Sequence, residues 1–199
     1  QPTQFEPLME EEISGLDVRD SLYHCLVNAA HQFRVQKDGE AYLLAGYPWF
    51  KCRARDTFIS LPGLTLSVGE TAQFEKYMET ASKAIRNYIN KEPVSVAIYE
   101  MEQPDTLLWA IWCIQQYGKY VSRHECHKKY GTLLKEIISF IRSGKHNNLF
   151  LHENGLLYSN GRDRAVTWMN STANGRPIIP RSGYIVEFTA LWYNALKFY

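Results

Sequence analysis

The sequence is poor in the features that mark metal-binding, membrane-spanning and nucleic-acid-binding proteins. It has four cysteines, and none of them forms a C-x-x-C pair of the kind found in zinc sites. No apolar run reaches the length of a bilayer, and no signal-peptide pattern opens the chain. The formal net charge of +1 gives no electrostatic reason to expect nucleic acid or an anionic membrane as a partner. These absences favour a cytoplasmic protein with reduced thiols.

One short segment, H-E-C-H at residues 124–127, has the residue types of a metal site. It lies where a helix is predicted to begin, and no second group of ligands follows at a zinc-type spacing. We therefore predict no metal site, and the sequence indicates no organic cofactor either.

The length of 199 residues suits one domain, and 45% of the residues are hydrophobic. Aromatic residues are plentiful, with 5 Trp and 13 Tyr. Most of these rings are expected to pack in the core. The few that lie on loops are the ones that could stack on a ligand.

Apolar residues recur at helical spacing in six segments, with Asp17 and Thr71 as predicted N-caps. Residues 94–99 are predicted to be an extended connection, and residues 145–148 a solvated turn within a long loop. Residues 1–16 are predicted to be a linker and residues 17–199 the folded domain. This order indicates an all-α protein whose long loops carry a site. The predicted helices cover residues 17–35, 57–66, 71–91, 105–117, 127–141 and 187–199.

Two groups of segments combine rings with charged residues. Residues 45–50 read A-G-Y-P-W-F and precede R-D-T-F-I-S-L-P-G-L at residues 55–64. Farther along come T-W-M-N at 167–170, P-R-S-G at 180–183 and V-E-F-T-A-L-W-Y-N-A-L at 186–196. Ring faces stack on the apolar faces of sugars, and charged groups hydrogen-bond to sugar hydroxyls. The mixture is typical of a carbohydrate site.

In wording and order, these segments resemble the glucosidase domain of glycogen-debranching enzymes, the amylo-α-1,6-glucosidases. In that family an A-G-Y-x-W-F loop leads into R-D-T-F-I-S-L-P-G-L, and D-T-L-L-W at residues 105–109 looks like the family's D-A-T-L-W-F. The resemblance implies an (α/α)6 barrel of twelve helices in two rings. With six predicted helices, this chain would be the N-terminal half of that domain. Its exposed inner faces would meet a second copy of the chain or the missing half.

The resemblance also implies an inverting glycoside hydrolase that removes α-1,6-linked glucose from glycogen, limit dextrin or maltodextrin. The family's general acid is the Asp of T-W-M-D, and the matching residue here is Asn170. An amide cannot release a proton at neutral pH. The family's general base lies in a later S-E-I-F-D-G-like segment that nothing here matches. We therefore expect the chain alone to be inactive. A non-catalytic α-glucan-binding domain and an enzyme for another α-glucoside are the alternatives.

Three carboxylates have more than one interpretation. Asp56 could bind sugar hydroxyls or act as the acid if burial raised its pKa, but it could also pair with Arg53 or Arg55 or cap a helix. Asp105 is equally ambiguous at the start of its helix. Asp163 is a second candidate for a displaced acid, although its two arginine neighbours would lower its pKa.

The remaining candidates are binding residues. Glu187 matches a binding-site Glu of the family, or it complements the dipole of its helix. The P-R-S-G turn could aim Arg181 inward beside it. The predicted catalytic positions are Asn170 and Asp56, and the predicted substrate-binding residues are Tyr47, Trp49, Arg55, Asp105, Trp109, Trp168, Arg181 and Glu187.

Overall fold

The computed structural model of the chain describes residues 6–7, 21–46, 50–95 and 97–199. Within these ranges there are six α-helices and ten short strands, so the predicted number of helices is confirmed while the all-α class is too narrow. The helices are α1 (Leu22–Gln32), α2 (Ala54–Leu64), α3 (Thr71–Asn90), α4 (Thr106–Tyr117), α5 (Arg123–Arg142) and α6 (Val186–Phe198). The strands are β1 (Glu6–Pro7), β2 (Arg34–Lys37), β3 (Glu40–Leu43), β4 (Cys52–Arg53), β5 (Ile98–Tyr99), β6 (Leu149–Leu151), β7 (Leu157–Ser159), β8 (Thr172–Ala173), β9 (Arg176–Pro177) and β10 (Gly183–Tyr184).

Helix α4 contacts four of the other five helices. This helix contacts α2 and α6, while α3 and α5 contact each other and both also touch α4. Leu107, Leu108, Ile111 and Ile114 of α4 are fully buried, as the apolar character of this segment predicts. Across the described ranges the helices do not close into a ring. A search of the same residues finds no helix with both the length and the apolar character needed to cross a bilayer.

The first helix turns a different face to the core from the one its spacing predicts. The spacing of Leu22, Cys25, Leu26, Ala29 and Phe33 predicts that they form the buried stripe. Leu22 and Leu26 are instead 77% and 61% exposed, and Val27 and Ala30 are buried. Both faces of α1 carry apolar residues, so periodicity alone does not choose between them. The cap is Ser21, whose side chain accepts from the backbone of the third helical residue at 3.2 Å. The predicted cap, Asp17, lies outside the described residues.

Glu70 ties the first three helices together. It occupies the N-cap position of α3, where Thr71 is predicted, and its carboxylate accepts from Arg34 and lies 3.0 Å from Nε2 of His31. The guanidinium of Arg34 also donates to the carbonyl oxygen of Leu64 at the end of α2. Burial of an arginine is costly, and here Glu70 supplies the counter-charge while the Leu64 carbonyl oxygen supplies a second acceptor.

The fifth helix begins four residues before its predicted start because of a capping box. The Ser122 hydroxyl accepts from the Glu125 backbone N–H at 3.1 Å, and the Glu125 carboxylate accepts from the Ser122 N–H at 3.1 Å. The H-E-C-H segment therefore lies in the first turn of α5. No group of three or more His, Cys, Asp or Glu side chains is arranged to hold a metal ion in the part of the chain that the structure describes.

Short strands replace much of the predicted irregular chain. The predicted connection at residues 94–99 ends in β5, which pairs in parallel with β4, so Arg53 lies opposite Tyr99. Within the predicted long loop, residues 143–182, β6 and β7 form an antiparallel sheet with β10, which follows the loop, and β8 and β9 form a hairpin. The hairpin turn is Asn174-Gly175, and both residues have positive φ, as a two-residue hairpin of this type requires.

Removal of the capping side chain tests the N-terminus of α5. We expect Ser122→Ala to lower the free energy of unfolding by about 1 kcal/mol, because the backbone N–H of Glu125 loses its acceptor. Urea denaturation measures the effect. Ser139→Ala, on the exposed face of the same helix, is the control and is expected to be neutral or slightly stabilising. Equal stability of Ser122→Ala and the wild type would contradict the capping role.

Candidate functional site

A buried ion pair joins α2 to α4 at the centre of the site. Nε of Arg55 donates to Oδ2 of Asp105 at 2.8 Å, and Nη2 donates to Oδ1 at 3.0 Å. The two residues are 4% and 1% exposed. Parallel bonds of this kind use both oxygens of the carboxylate. Arg55 therefore pairs with Asp105, a partner that the sequence did not suggest, and not with Asp56. The predicted role of the pair in substrate binding stays a prediction.

Gln103 connects this pair to a segment that lies far away in the sequence. Its Oε1 accepts from Nη2 of Arg55 at 3.5 Å and from the backbone N–H of Thr167 at 3.3 Å. Thr167 is fully buried and has φ of 69°, which is rare for a β-branched residue. The R-D-T-F and T-W-M-N segments are thus parts of one hydrogen-bonded unit. The sequence does not indicate a role for Gln103, because a single amide in a loop belongs to no motif or periodic pattern.

The T-W-M-N segment exposes the indole of Trp168 to solvent and keeps the amide of Asn170 partly buried. Trp168 is 65% exposed, and Asn170 is partly buried. The hydroxyl of Thr167 accepts from the backbone N–H of Met169 at 3.2 Å, which holds the turn between them. The exposed indole is therefore presented by a constrained backbone and not by a loose loop.

Arg181 and Glu187 form a second ion pair next to this segment. Their side chains are 17% and 29% exposed, and Nη1 of Arg181 lies 3.3 Å from Sδ of Met169. The β8–β9 hairpin lies between Asn170 and Arg181 in the sequence, and the contact with Met169 brings its two ends together. Glu187 is in the first turn of α6, so it pairs with Arg181 and also complements the helix dipole.

Gly161 allows the chain to approach the backbone of Arg181. A Cβ atom at residue 161 would lie 2.1 Å from the carbonyl oxygen of Arg181 and 2.5 Å from Cγ2 of Val166. Neither distance is possible for real atoms, and the first involves main chain that cannot rotate away. Only glycine fits here, and the loop that carries Arg181 depends on it.

Asp56 lines a pocket of about 290 Å³ between the start of α2 and the end of the β2–β3 hairpin. It is the third residue of α2, which begins three residues before its predicted start, so Asp56 is not the N-cap. Burial raises the pKa of Asp56, and Asp105 adds to the shift while Arg53 and Arg55 oppose it. A raised pKa is what a carboxyl group needs in order to donate a proton near neutral pH. The other lining residues are Phe33, Leu44, Ala45, Ile59, Ser60 and Leu64.

Glu100 is a further carboxylate that sequence analysis did not select. Its side chain is 20% exposed, and its Oε2 lies 3.5 Å from Nε of Arg53. Burial raises its pKa, and the nearby arginines oppose this shift. The guanidinium of Arg53 lies 5.1 Å from the ring centroid of Phe50 and 5.6 Å from that of Tyr99. The pairing of β4 with β5 produces this cluster, and that pairing has no local signal in the sequence.

The predicted solvated turn at residues 145–148 is wrong, because His146 and Asn148 are buried. Nδ1 of His146 accepts from the backbone N–H of Asn148 at 3.1 Å, and the ring lies 5.7 Å from Tyr88. Nδ2 of Asn148 donates to the carbonyl oxygen of Glu102 at 3.3 Å. Burial lowers the pKa of His146 to about 4. This segment supports the loop that carries Gln103.

The remaining predicted site residues are less closely connected. Trp109 is partly buried, with its ring centroid 5.5 Å from that of Trp112 in an edge-on arrangement. Asp163 is exposed on its loop. Tyr47 and Trp49 lie outside the described residues. Their roles in binding or catalysis stay predictions.

Comparison with known proteins adds one finding. A family model described as amylo-alpha-1,6-glucosidase matches residues 27–199, a range that runs from within α1 to the end of α6. Neither the curated proteins nor the solved structures contain a significant match to the chain.

Removal of one charge from the central pair should be costly. We expect Asp105→Asn to lower the free energy of unfolding by about 3–5 kcal/mol, since the guanidinium of Arg55 would remain buried without a counter-charge. Urea denaturation measures the loss. Glu136→Gln, which breaks the exposed pair with Arg86, is the matched control and should cost less than about 1 kcal/mol. Similar losses in both variants would contradict a special role for the buried pair.

The raised pKa of Asp56 predicts a pH-dependent effect on stability. The folded protein binds this proton more tightly than the unfolded chain does, so the ionised form of Asp56 destabilises the fold above its folded-state pKa. Asp56→Asn is therefore expected to raise the midpoint of thermal unfolding at pH 7. The difference should shrink as the pH falls through that pKa towards the ordinary value of about 4. Exposed Asp163→Asn serves as the control, and a destabilised Asp56→Asn at pH 7 would refute the prediction.

Proposed function

The chain belongs to the amylo-α-1,6-glucosidase family, and from this premise we propose that it binds branched α-glucan as part of a debranching-type glycoside hydrolase. The observation that carries the proposal is the bridge made by Gln103 between Arg55 and Thr167. The family-like segments meet there, although more than a hundred residues separate them. Exposed Trp168 and the Arg181–Glu187 pair lie at the same end of this network.

Binding is the part of the function for which this chain has suitable groups. An indole in solvent can stack on a glucose ring, and the adjacent charged pair can hydrogen-bond to hydroxyl groups. The buried Arg55–Asp105 pair positions these groups from behind. The pocket beside Asp56 offers a carboxyl group whose raised pKa suits contact with sugar hydroxyls or proton donation.

Hydrolysis needs more than these groups. An inverting glycosidase requires a carboxylic acid and a carboxylate roughly 6.5–9.5 Å apart with a water between them. Asn170 stands at the family's acid position and cannot donate a proton as an acid does. Nothing in the sequence matches the family's general-base segment. We therefore propose that this chain alone binds α-glucan without cleaving it, which also keeps a non-catalytic binding domain as the second candidate.

The finer architecture that we propose is part of an (α/α)6 barrel. The contacts of α4 with α2 and α6, and of α3 with α5, support this arrangement. Apolar side chains on α6 remain in solvent, with Val186, Tyr193 and Leu196 at 80%, 67% and 43% exposure. Further helices of the barrel or a second copy of the chain would cover this face. The four cysteines are free thiols, which fits the proposed cytoplasmic location.

Two measurements test this function. Calorimetric titration with maltoheptaose should detect binding by the wild type, and incubation with a branched limit dextrin should release no glucose. Asn170→Asp restores the family's acid, and we expect it to bind equally well and to remain inactive while no base is present. Asp56→Asn should weaken binding, whereas Glu136→Gln, at an exposed carboxylate on α5, should not.

The contrary results are clear. Glucose release by the wild type, lost in Asp56→Asn, would show that the acid has moved and that the chain is itself a hydrolase. Absence of maltoheptaose binding would overturn the proposal of an α-glucan site.

A further inference from the structure

Three aromatic rings form a compact cluster on the small antiparallel sheet. The ring of His152 stacks on that of Tyr158, with centroids 5.0 Å apart and planes inclined by 11°. The ring of Tyr184 stands edge-on to both, with centroids at 5.4 and 5.7 Å and angles of 90° and 88°. His152 follows β6, while Tyr158 lies on β7 and Tyr184 on β10. None of these residues belongs to the network around Gln103.

The cluster is exposed and well ordered by its own contacts. Tyr184 is 51% exposed and His152 is exposed as well, with Tyr158 partly covered beneath it. The Tyr184 hydroxyl lies 2.7 Å from Nδ1 of His152 and accepts from Nδ2 of Asn154 at 3.4 Å. The turn between β6 and β7 is closed by the backbone bond from the Gly155 N–H to the His152 carbonyl oxygen at 2.9 Å. A ligand would therefore find the rings already in place, and little conformational entropy would be lost.

The chemistry of the cluster suits a neutral ligand with many hydroxyl groups. Its three members carry ring faces, two phenols and an imidazole, and the adjacent Asn154 adds an amide; none of these four groups is a carboxylate, an ammonium or a guanidinium group. Such a surface offers stacking together with hydrogen bonds that need no counter-charge. A sugar has the matching surface, since its C–H faces are apolar and its rim is polar.

The position of the cluster relates it to the proposed glucan site. Tyr184 follows Arg181 by three residues, which is roughly 10 Å of extended chain. Strand β10 thus runs from the Arg181–Glu187 pair to the cluster. A glucan chain that lies against Trp168 and Arg181 could continue along the strand and reach the rings.

We propose that His152, Tyr158 and Tyr184 form an accessory subsite for an α-linked glucan chain, an inference that rests on the proposed function. The perpendicular planes of Tyr184 and its two neighbours form a corner and not a flat platform. A β-1,4-linked glucan is a flat ribbon and needs coplanar rings. An α-linked glucan is curved, and successive sugars can meet rings of different orientation. The corner therefore selects the α-linked chain.

Titration calorimetry with sugars of two lengths tests the subsite. We expect Tyr184→Ala and His152→Ala to weaken maltoheptaose binding roughly 3- to 10-fold, the range typical of a lost aromatic contact. Binding of maltose should not change, because a disaccharide occupies the site beside Arg181 and does not reach the rings. Tyr193→Ala removes a tyrosine from α6 that is 67% exposed, against 51% for Tyr184, and should leave both affinities unchanged. Thermal unfolding monitors the integrity of each variant.

A milder variant covers the case in which Tyr184→Ala fails to fold. Tyr184→Phe keeps the ring and loses the hydroxyl that contacts His152 and Asn154. Together with His152→Ala, it reports on the cluster with the sheet intact, and a selective loss of maltoheptaose affinity in either variant supports the subsite.

The outcomes separate the two proposals. Wild-type binding of maltoheptaose that is unchanged in all cluster variants overturns the subsite and leaves the proposed function standing. Wild-type protein that binds neither sugar overturns both. Binding of cellohexaose as tight as that of maltoheptaose, and equally sensitive to Tyr184→Ala, would overturn the selection of α-linked chains.

Discussion

A charged group that is cut off from water must keep its partner, and this constraint on Arg55 organises the rest of the structure. The bidentate pair with Asp105 allows only one relative placement of α2 and α4 at their point of contact. Strand β4 leads directly into α2, so the pair also sets the position of the strand and of Arg53. Gln103 lies three residues before α4, and its side chain accepts a hydrogen bond from the same arginine, Arg55. The surroundings of the site are thus determined by two side chains that solvent hardly reaches.

The exposed side chains that a ligand could reach are held in place by buried residues that it could not reach. Thr167 holds a left-handed backbone that costs about 1–3 kcal/mol, and its burial and its bond to Gln103 offset that cost. The next residue, Trp168, is directed into solvent as a result. Arg181 is similarly held by the close approach of Gly161 and by Glu187. A rigid support of this kind presents rings and charges without the entropic cost of ordering a loose loop.

The helices and the family could be predicted from the sequence, whereas the contacts that form the candidate site could not. Apolar periodicity predicted all six helices, since each buries a stripe that repeats along the chain. It misplaced the buried face of α1, where two apolar faces compete. Apolar periodicity also carries no information on the S-x-x-E capping box at Ser122, which sets the start of α5. The roles of Gln103, Glu100 and His146 depend on tertiary proximity, and no local pattern encodes that proximity. That Arg55 pairs with Asp105 and not with Asp56 also depends on tertiary proximity.

The buried imidazole behind the site makes the protein sensitive to mild acid. With its pKa lowered to about 4, His146 stays neutral in the folded protein, whereas in the unfolded chain it takes up a proton near pH 6.5. As the pH falls from about 6.5 to about 4, the unfolded chain therefore gains a proton that the folded protein does not, and the free energy of unfolding decreases through this one group. Protonation inside the structure would place a cation beside Tyr88 and Phe140, within the segment that supports the loop of Gln103. An acidic compartment would thus loosen the support of the proposed glucan site, at a distance from every residue that we propose to contact the sugar.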